Sequence, residues 1–357
     1  MGKEHRIAVL PGDGVGPEVV REGLRVLDAV AALEGFRYTT TTYPFGAEHY
    51  LKTRELLPPS ALTEFGQHDA IFLGAIGDPR VETGLLERAI VAGLRFGLDL
   101  YINLRPVRLY HANLTPLKGK TPADIDMVFV RENTEDLYVG IHGFFKKGTP
   151  DEVAIQEMVM TYKGVERAVR YAFELARKRG GRKRLMLIDK ANALRGQDLW
   201  TRVFAAVGAE YPDITQDHAY IDAATMWMVK NPEWFDVAVV PNMFGDIITD
   251  LGAAIQGGMG LAASGNLHPG RASMFEPIHG SAPKHAGRNV ICPLAAIAAV
   301  QMLLDYVGES GGAARIEAGL AAVLGSGRIR DVSTASGIPT PEYTDRLVEA
   351  LDALSGR

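Results

Sequence analysis

The sequence predicts an α/β protein of two lobes. Short, undivided apolar runs alternate with amphipathic stretches of helical period, the pattern of layered sheets covered by helices. Runs such as Ala70-Ile-Phe-Leu-Gly-Ala-Ile76 carry no polar residue, as expected of parallel strands buried on both faces. The 357 residues, 47% hydrophobic and 23% charged, supply enough core for two such lobes.

Charge and cysteine content narrow the classes. A net charge of -5 gives no basic field for nucleic acid or anionic membrane, so neither partner is expected. The exception, Arg177-Lys-Arg-Gly-Gly-Arg-Lys-Arg184, precedes an apolar run and reads as a solvated helix end and loop. Cys292 is the single cysteine, which excludes an internal disulfide and points to a reducing compartment. The stretch Met1-Gly-Lys-Glu-His-Arg6 has no signal-peptide character, and no apolar run approaches the ~18 residues of a membrane span. Cytoplasm is the expected location.

In chain order, strand-like Ile7-Ala-Val-Leu10 leads into Pro11-Gly-Asp-Gly-Val-Gly-Pro17 and a helix over 18–30, with Pro17 in its first turn. The turn is not the dinucleotide fingerprint, so a tight β-to-α turn and a ligand loop both remain open. A helix over 82–96 carries Arg88 and Arg95, and Tyr101-Ile-Asn-Leu-Arg-Pro-Val-Arg108 brings Arg105 and Arg108. These are solvated charges or a clamp for the carboxylates of a di-acid. The strand Asp126-Met-Val-Phe-Val130 delivers Arg131, with Tyr138 seven residues on, at a strand end where α/β sites form. An amphipathic helix spans 161–176. The strand at Leu185-Met-Leu-Ile188 leads to Lys190, which snorkels to solvent or, enclosed near a cation, serves as a base. Asp222 stands alone in an apolar stretch and needs a partner, a metal or Lys190. After a strand over 237–240, Asp246 and Asp250 lie four residues apart in a helical run, on one face, where like charges repel unless a hard cation such as Mg²⁺ or Mn²⁺ neutralises them. The alternative is Asp246 as an N-cap and Asp250 in solvent. The glycines from Gly252 to Gly265 imply close backbone approach or a mobile loop. Residues 274–287 read as a loop whose free N–H groups suit phosphate, and 293–304 as a core helix.

Taken together, Pro11-Gly-Asp-Gly-Val-Gly-Pro17, Asn103-Leu-Arg-Pro106, Arg131-Glu-Asn-Thr-Glu135, Asp189-Lys-Ala-Asn192, Asn242-Met-Phe-Gly-Asp246 and Phe275-Glu-Pro-Ile-His-Gly280 resemble the metal-dependent β-decarboxylating dehydrogenases, the isopropylmalate/isocitrate dehydrogenase family. The ordered motifs cover about nine tenths of the chain, and together they are far more specific than any one alone. Leu86-Glu-Arg88 and Leu94-Arg-Phe96 point to the isopropylmalate branch. The resemblance implies a fold other than the standard Rossmann fold, with residues 1–104 and 257–357 in a cofactor lobe, 105–256 in a second lobe, and the active site in the cleft. It implies a homodimer in which Lys190 and Asp222 complete the partner's site. Asp222, Asp246 and Asp250 would ligate Mg²⁺ or Mn²⁺. Arg95, Arg105 and Arg131 would hold the substrate carboxylates, Lys190 would take the hydroxyl proton, and Tyr138 would protonate the enol. Glu276, His279, Gly280, Ser281, Ala282, Lys284, His285 and Cys292 would bind NAD or NADP. The implied reaction is oxidative decarboxylation of a 2-hydroxy di-acid, 3-isopropylmalate first, in the manner of leucine biosynthesis, with tartrate, D-malate or another 3-alkylmalate as alternatives. A non-catalytic protein of the same fold is disfavoured by the presence of Lys190, Tyr138 and all three aspartates. A metal-dependent phosphohydrolase would have no use for the arginine clamp.

Three positions depart from the family pattern. Lys284 stands where NAD-users carry an acid, which favours pairing with the 2′-phosphate of NADP. Cys292 replaces a frequent asparagine. The leucines expected four and three residues before Arg95 are Val91 and Ala92, and Ala193 replaces a frequent valine. The isocitrate-type Ser and Asn are also missing, at Ala89 and Val91.

Overall fold

The computed structural model describes residues 4–355; residues 1–3, the start of the N-terminal stretch discussed above, lie outside that range. Two compact units emerge. One holds residues 1–100, 105–125 and 253–357, the other residues 101–104 and 126–252. The expected division put 105–125 in the second lobe. These residues cluster with the first unit because their contacts lie there. The Arg108 backbone N–H donates to Gln256 Oε1 at 2.8 Å, Arg108 and Tyr110 both reach the Glu317 carboxylate, and a Cβ on Gly257 would meet Leu114.

The first unit opens with β1 (Glu4–Gly12), α1 (Gly16–Glu34), β2 (Arg37–Thr42), α2 (Ala47–Thr53), α3 (Pro59–Phe65) and β3 (Ala70–Ala75), followed by a helical run that ends in α4 (Gly93–Gly97). Helix α1 forms because Pro17 presets its first turn and Val19, Val26, Leu27 and Val30 share one buried face. It stops at Gly35, whose left-handed backbone donates to the Ala31 carbonyl. Strand β1 pairs in parallel with β2 and β3, Ile7 opposite Ala70. The helix expected over 82–96 begins only after Gly84 and takes a π turn over Glu87–Ala92. Leu86, Ile90 and Leu94 lie in the core with Ile71 and Leu73.

The second unit contains the start of β4 (Ile102–Arg108), then β5 (Asp126–Glu132), the antiparallel ribbon β6 (His142–Phe145) and β7 (Val153–Gln156), α5 (Tyr162–Arg179), β8 (Arg184–Asp189), α6 (Asp198–Gly208), β9 (Thr215–Tyr220), α7 (Ile221–Lys230), β10 (Val237–Val240) and most of α8 (Asn242–Gln256). Its strands run parallel in the order β5-β10-β8-β9. Thr161 caps α5, its hydroxyl accepting from the Gly164 N–H at 2.9 Å. The basic run after α5 is not simply solvated. Arg177 pairs with Asp213, Arg179 reaches Asp236 and Asp126, and Arg182 donates to the carbonyls of Glu233 and Phe235. Those arginines fasten the end of α5 to the turns around it.

The chain returns to the first unit with β11 (Ala263–Leu267), β12 (Ser273–Pro277), α9 (Leu294–Val307), α10 (Ser310–Gly325) and α11 (Thr340–Ser355). The strand order there is β2-β1-β3-β12-β11, with only the last pair antiparallel. Strand β11 and the first residues of the expected loop at 274–287 correct the sequence reading. Gly265 lies opposite Phe275 where a Cβ would crowd Leu267, Phe275 and Met302, so this glycine serves sheet packing instead of mobility. Helix α9 is buried as expected. Among the described residues no helix is long and apolar enough to cross a membrane.

Phe173 anchors the second unit. It is fully buried and stacks on Tyr211 and Phe204 with ring centroids 4.7 and 5.3 Å apart. Phe173→Ala should cost about 3–5 kcal/mol, measured as a lowered guanidinium midpoint at unchanged slope.

Candidate active site

The cluster on α8 is built by a glycine. Arg131 leaves the end of β5 and lies along α8 at Gly245, where a Cβ would sit 2.5 Å from the Arg131 Cγ. No other residue leaves room for that stem. The guanidinium is thereby brought to the Asn242 amide oxygen, 2.9 Å from Nε, and to the Asp246 carboxylate, with which it pairs. The 3₁₀ turn that carries Tyr138 is fastened to the same helix. Asp136, buried and in a left-handed conformation, accepts the Met243 N–H at 2.8 Å, and the Asn242 amide donates to the Glu135 carbonyl. Tyr138 then donates to Asp246 at 3.0 Å, its ring 5.6 Å from the Arg131 guanidinium. Burial raises the Tyr138 pKa and the Asp246 charge adds to the shift, so the phenol keeps its proton at neutral pH. Asp246 lies in the second turn of α8, which removes the N-cap alternative, and Asp250 follows one turn on, exposed.

A second cluster forms at the end of β8. The Lys190 main-chain N–H donates to the buried Gln197 at 2.6 Å, and Asp189 accepts the Ala191 N–H. This fixes the backbone from which Lys190 reaches Asp222, with Nζ to Oδ1 at 2.7 Å. Asp222 has the partner expected of it, and that hydrogen bond lowers its pKa. It is not buried, however: its side chain is 68% exposed on α7. Among the described residues no three His, Cys, Asp or Glu side chains gather as a metal set. Asp222, Asp246 and Asp250 are therefore not assembled within one chain, because Asp222 is drawn to Lys190 and Asp246 to Arg131. Their all-carboxylate oxygens do fit a hard divalent ion.

In the first unit, Arg95 donates to Glu276 at 3.1 Å, and the same carboxylate oxygen accepts from Asn266 and Ser264. Glu276 was expected among the cofactor residues. It is buried in β12, where it holds Arg95, whose Nε stays buried and without a hydrogen-bond partner. Arg105 is buried in this unit as well, whereas Arg108 is spent on Glu317. The arginines expected to hold substrate thus divide between the units, Arg95 and Arg105 in one and Arg131 in the other.

A cavity of about 590 Å³ in the first unit is walled by Val15, Gly257–Gly260, Ile291, Cys292 and Val332. Of the expected cofactor residues, His279, Gly280, Ala282 and Cys292 line it. Ser281 backs it through its carbonyl, and Lys284 and His285 lie on the 3₁₀ turn that continues from Ala282, Lys284 exposed. Burial lowers the His279 pKa. In the tautomer that donates from Nδ1 to the Gly280 carbonyl, the partnerless Nε2 is an acceptor. Burial pushes the Cys292 thiol up to about 12, so it packs as an apolar group. Asp331, Ser333 and Thr334 complete the wall, and the sequence reading missed them. Their one signal is the Ser333–Asp331 turn, in which Ser333 donates from both N–H and Oγ. Glue of this kind looks like any surface turn. Small apolar walls with a few polar groups at one side fit the adenosine half of a dinucleotide.

Residues 6–347 match the profile of the isocitrate/isopropylmalate dehydrogenase family. The chain belongs to that family. It is 52% identical over 319 residues to the 3-isopropylmalate dehydrogenase of Thermobifida fusca, spanning 88% of this chain and 90% of that one. Identity to the 3-isopropylmalate dehydrogenase of Frankia casuarinae is 51% over 344 residues, 96% and 97% of the two chains. Among solved structures, the isocitrate dehydrogenase from Methylococcus capsulatus is similar with a TM-score of 0.87 at 36% identity, over 97% of this chain and 99% of that chain. A β-decarboxylating dehydrogenase from Thermococcus kodakarensis gives 0.81 at 32% identity, over 99% and 97%.

Since Glu276 restrains Arg95, Glu276→Gln should raise KM for the di-acid about tenfold, by loss of a charge-assisted bond, and leave dinucleotide affinity unchanged. Steady-state kinetics beside a fluorescence titration of bound NADH or NADPH tests this. A loss confined to the dinucleotide would return Glu276 to the cofactor.

Proposed function

We propose that this chain catalyses the NAD(P)- and divalent-metal-dependent oxidative decarboxylation of 3-isopropylmalate to 2-oxo-4-methylpentanoate, the reaction type of leucine biosynthesis. The observation that carries the reading is the Arg131–Tyr138–Asp246 cluster built around Gly245. The relatives above 50% identity support the same substrate.

Asp246, Asp250 and Asp222 would hold Mg²⁺ or Mn²⁺, and the chemistry such an ion supplies is Lewis-acid polarisation of the oxygen on C2. The cavity behind Val15 and His279 would hold the dinucleotide, whose part is to accept the hydride from C2. Arg95, Arg105 and Arg131 grip the carboxylates by bidentate pairing. Lys190 takes the C2 hydroxyl proton as the neutral amine, becoming the ammonium, with its nitrogen aimed by Asp222 and its backbone fixed by Gln197. Carbon dioxide then leaves from C3, and Tyr138, protonated at neutral pH, returns a proton there. Lys284 favours NADP because its ammonium pairs with a 2′-phosphate where a carboxylate would repel it.

The active unit in this reading is a homodimer in which Lys190 and Asp222 serve the partner's site. Two observations support it. The Lys190–Asp222 pair and the Asp246 cluster do not meet as a metal set in one chain. Exposed apolar side chains crowd the same unit: Met226 and Val229 on α7, Ile247 on α8, and Phe144, Phe145 and Ile155 on the β6–β7 ribbon.

Three measurements test the proposal. Absorbance at the NAD(P)H band with 3-isopropylmalate and Mn²⁺ should rise, and rise less with tartrate or D-malate; a faster tartrate reaction would move the substrate assignment. Lys190→Met and Asp246→Asn should each be inactive, yet mixing them should restore about one quarter of parental activity, the statistical yield of one good site in half of the two-fold dimers. Failure to complement would place both residues in one site of one chain. Lys284→Asp should shift the kcat/KM ratio toward NAD, and an unmoved ratio would remove Lys284 from 2′-phosphate recognition.

A further inference from the structure

The acid in the first glycine-rich loop has no part in the chemistry above, yet it is the most enclosed polar group of that loop. Asp13 is only 6% exposed. One carboxylate oxygen accepts the Ala47 N–H at 2.6 Å, at the start of α2, and the other accepts the Gly77 N–H at 2.9 Å, just after β3. Its own N–H donates to the Ala75 carbonyl at 2.7 Å. A glycine makes the first reach possible: a Cβ on Gly46 would lie 2.6 Å from Asp13 Oδ1. Two residues further along, the same loop meets the cavity. Val15 lines it, and the Val15 N–H donates to the Ser281 carbonyl at 2.8 Å. Gly14 is pressed so closely on that carbonyl that a Cβ would fall 1.9 Å from it. One buried carboxylate therefore joins the cavity wall to two other loops of the unit.

We propose that Asp13 is a positioning residue for the dinucleotide: by tying its loop to Ala47 and Gly77, it holds Val15 and the 279–282 segment in the shape that the nucleotide needs. This rests on the reading of the cavity as a dinucleotide site. The ionised carboxylate accepts from both N–H groups, whereas a protonated one, or an asparagine, gives up one acceptor and leaves an amide unpaired. Burial raises the Asp13 pKa, and the facing charges of Asp78 and Glu87 raise it further, so the ties weaken in acid above the ordinary carboxylate range.

The experiment is a fluorescence titration of the full chain with NADH and with NADPH over a pH series, for the parent and Asp13→Asn. Loss of one charged hydrogen bond should weaken binding about tenfold, with kcat at saturating dinucleotide within about twofold of the parent. The ratio of the two affinities should approach one as acid protonates Asp13 in the parent. A variant that melts earlier but binds like the parent, or an affinity ratio that does not change with pH, would overturn the inference. Should Asp13→Asn not fold, hydrogen exchange in the parent decides. Added NADPH should slow exchange at the Ala47 and Gly77 amides, and unaltered rates there would overturn the inference. A chain that binds neither dinucleotide overturns this inference and the cavity reading together; one that binds but ignores Asp13 overturns this inference alone.

Discussion

The close approach of Arg131 to α8 is the constraint from which the second unit's chemistry follows. The guanidinium stem occupies the space that any side chain at Gly245 would need. With it in place, Asn242 and Asp246 each receive an Arg131 donor, and Tyr138 finds Asp246 because Asp136 has already fastened its turn to the first turn of the helix. The energetic logic is that of a buried cation, tolerable only when its donors are satisfied in good geometry. Removing the glycine would disturb the arginine, the aspartate and the phenol together, because they share one packing solution.

The first unit is organised differently. Its sheet is buried between α1, α9 and the π-turned helix, and its functional groups sit on loops at strand ends. Asp13 is a buried acid that braces one of those loops, accepting from the Ala47 and Gly77 N–H groups, and Glu276 is one that ties α4 to β11. A carboxylate enclosed in this way is costly unless such donors surround it. Their presence explains why so short a loop as 11–17 keeps a defined shape.

Much of this was legible in the residues. The undivided apolar runs became parallel strands, Asp246 and Asp250 share α8, and Lys190 meets Asp222, because each rests on local period or on pairing a charge. What failed to show was set by distant packing. Gly265 leaves close approach and a mobile loop both open until Phe275 and Met302 are seen to press on it. Asp331 to Thr334 carry no signal beyond a turn, since they reach the cavity only through the fold of the C-terminal segment. Glu276 looks like part of a phosphate loop in sequence, and only the sheet reveals that it faces Arg95. The arginines in the last turn of α5 looked solvated because their acceptors, Asp213 and Asp236, lie far along the chain.

The π turn at Glu87–Ala92 has an evolutionary consequence. A π turn takes more residues per turn than the α-helix around it, so the side chains between the buried Leu86, Ile90 and Leu94 are spaced differently around the axis than an α-helix would space them. Loss or gain of one residue here would leave Arg95 on the last turn of the helix yet change its neighbours. Change of length in this segment, as well as point substitution, would therefore alter which side chains stand beside Arg95.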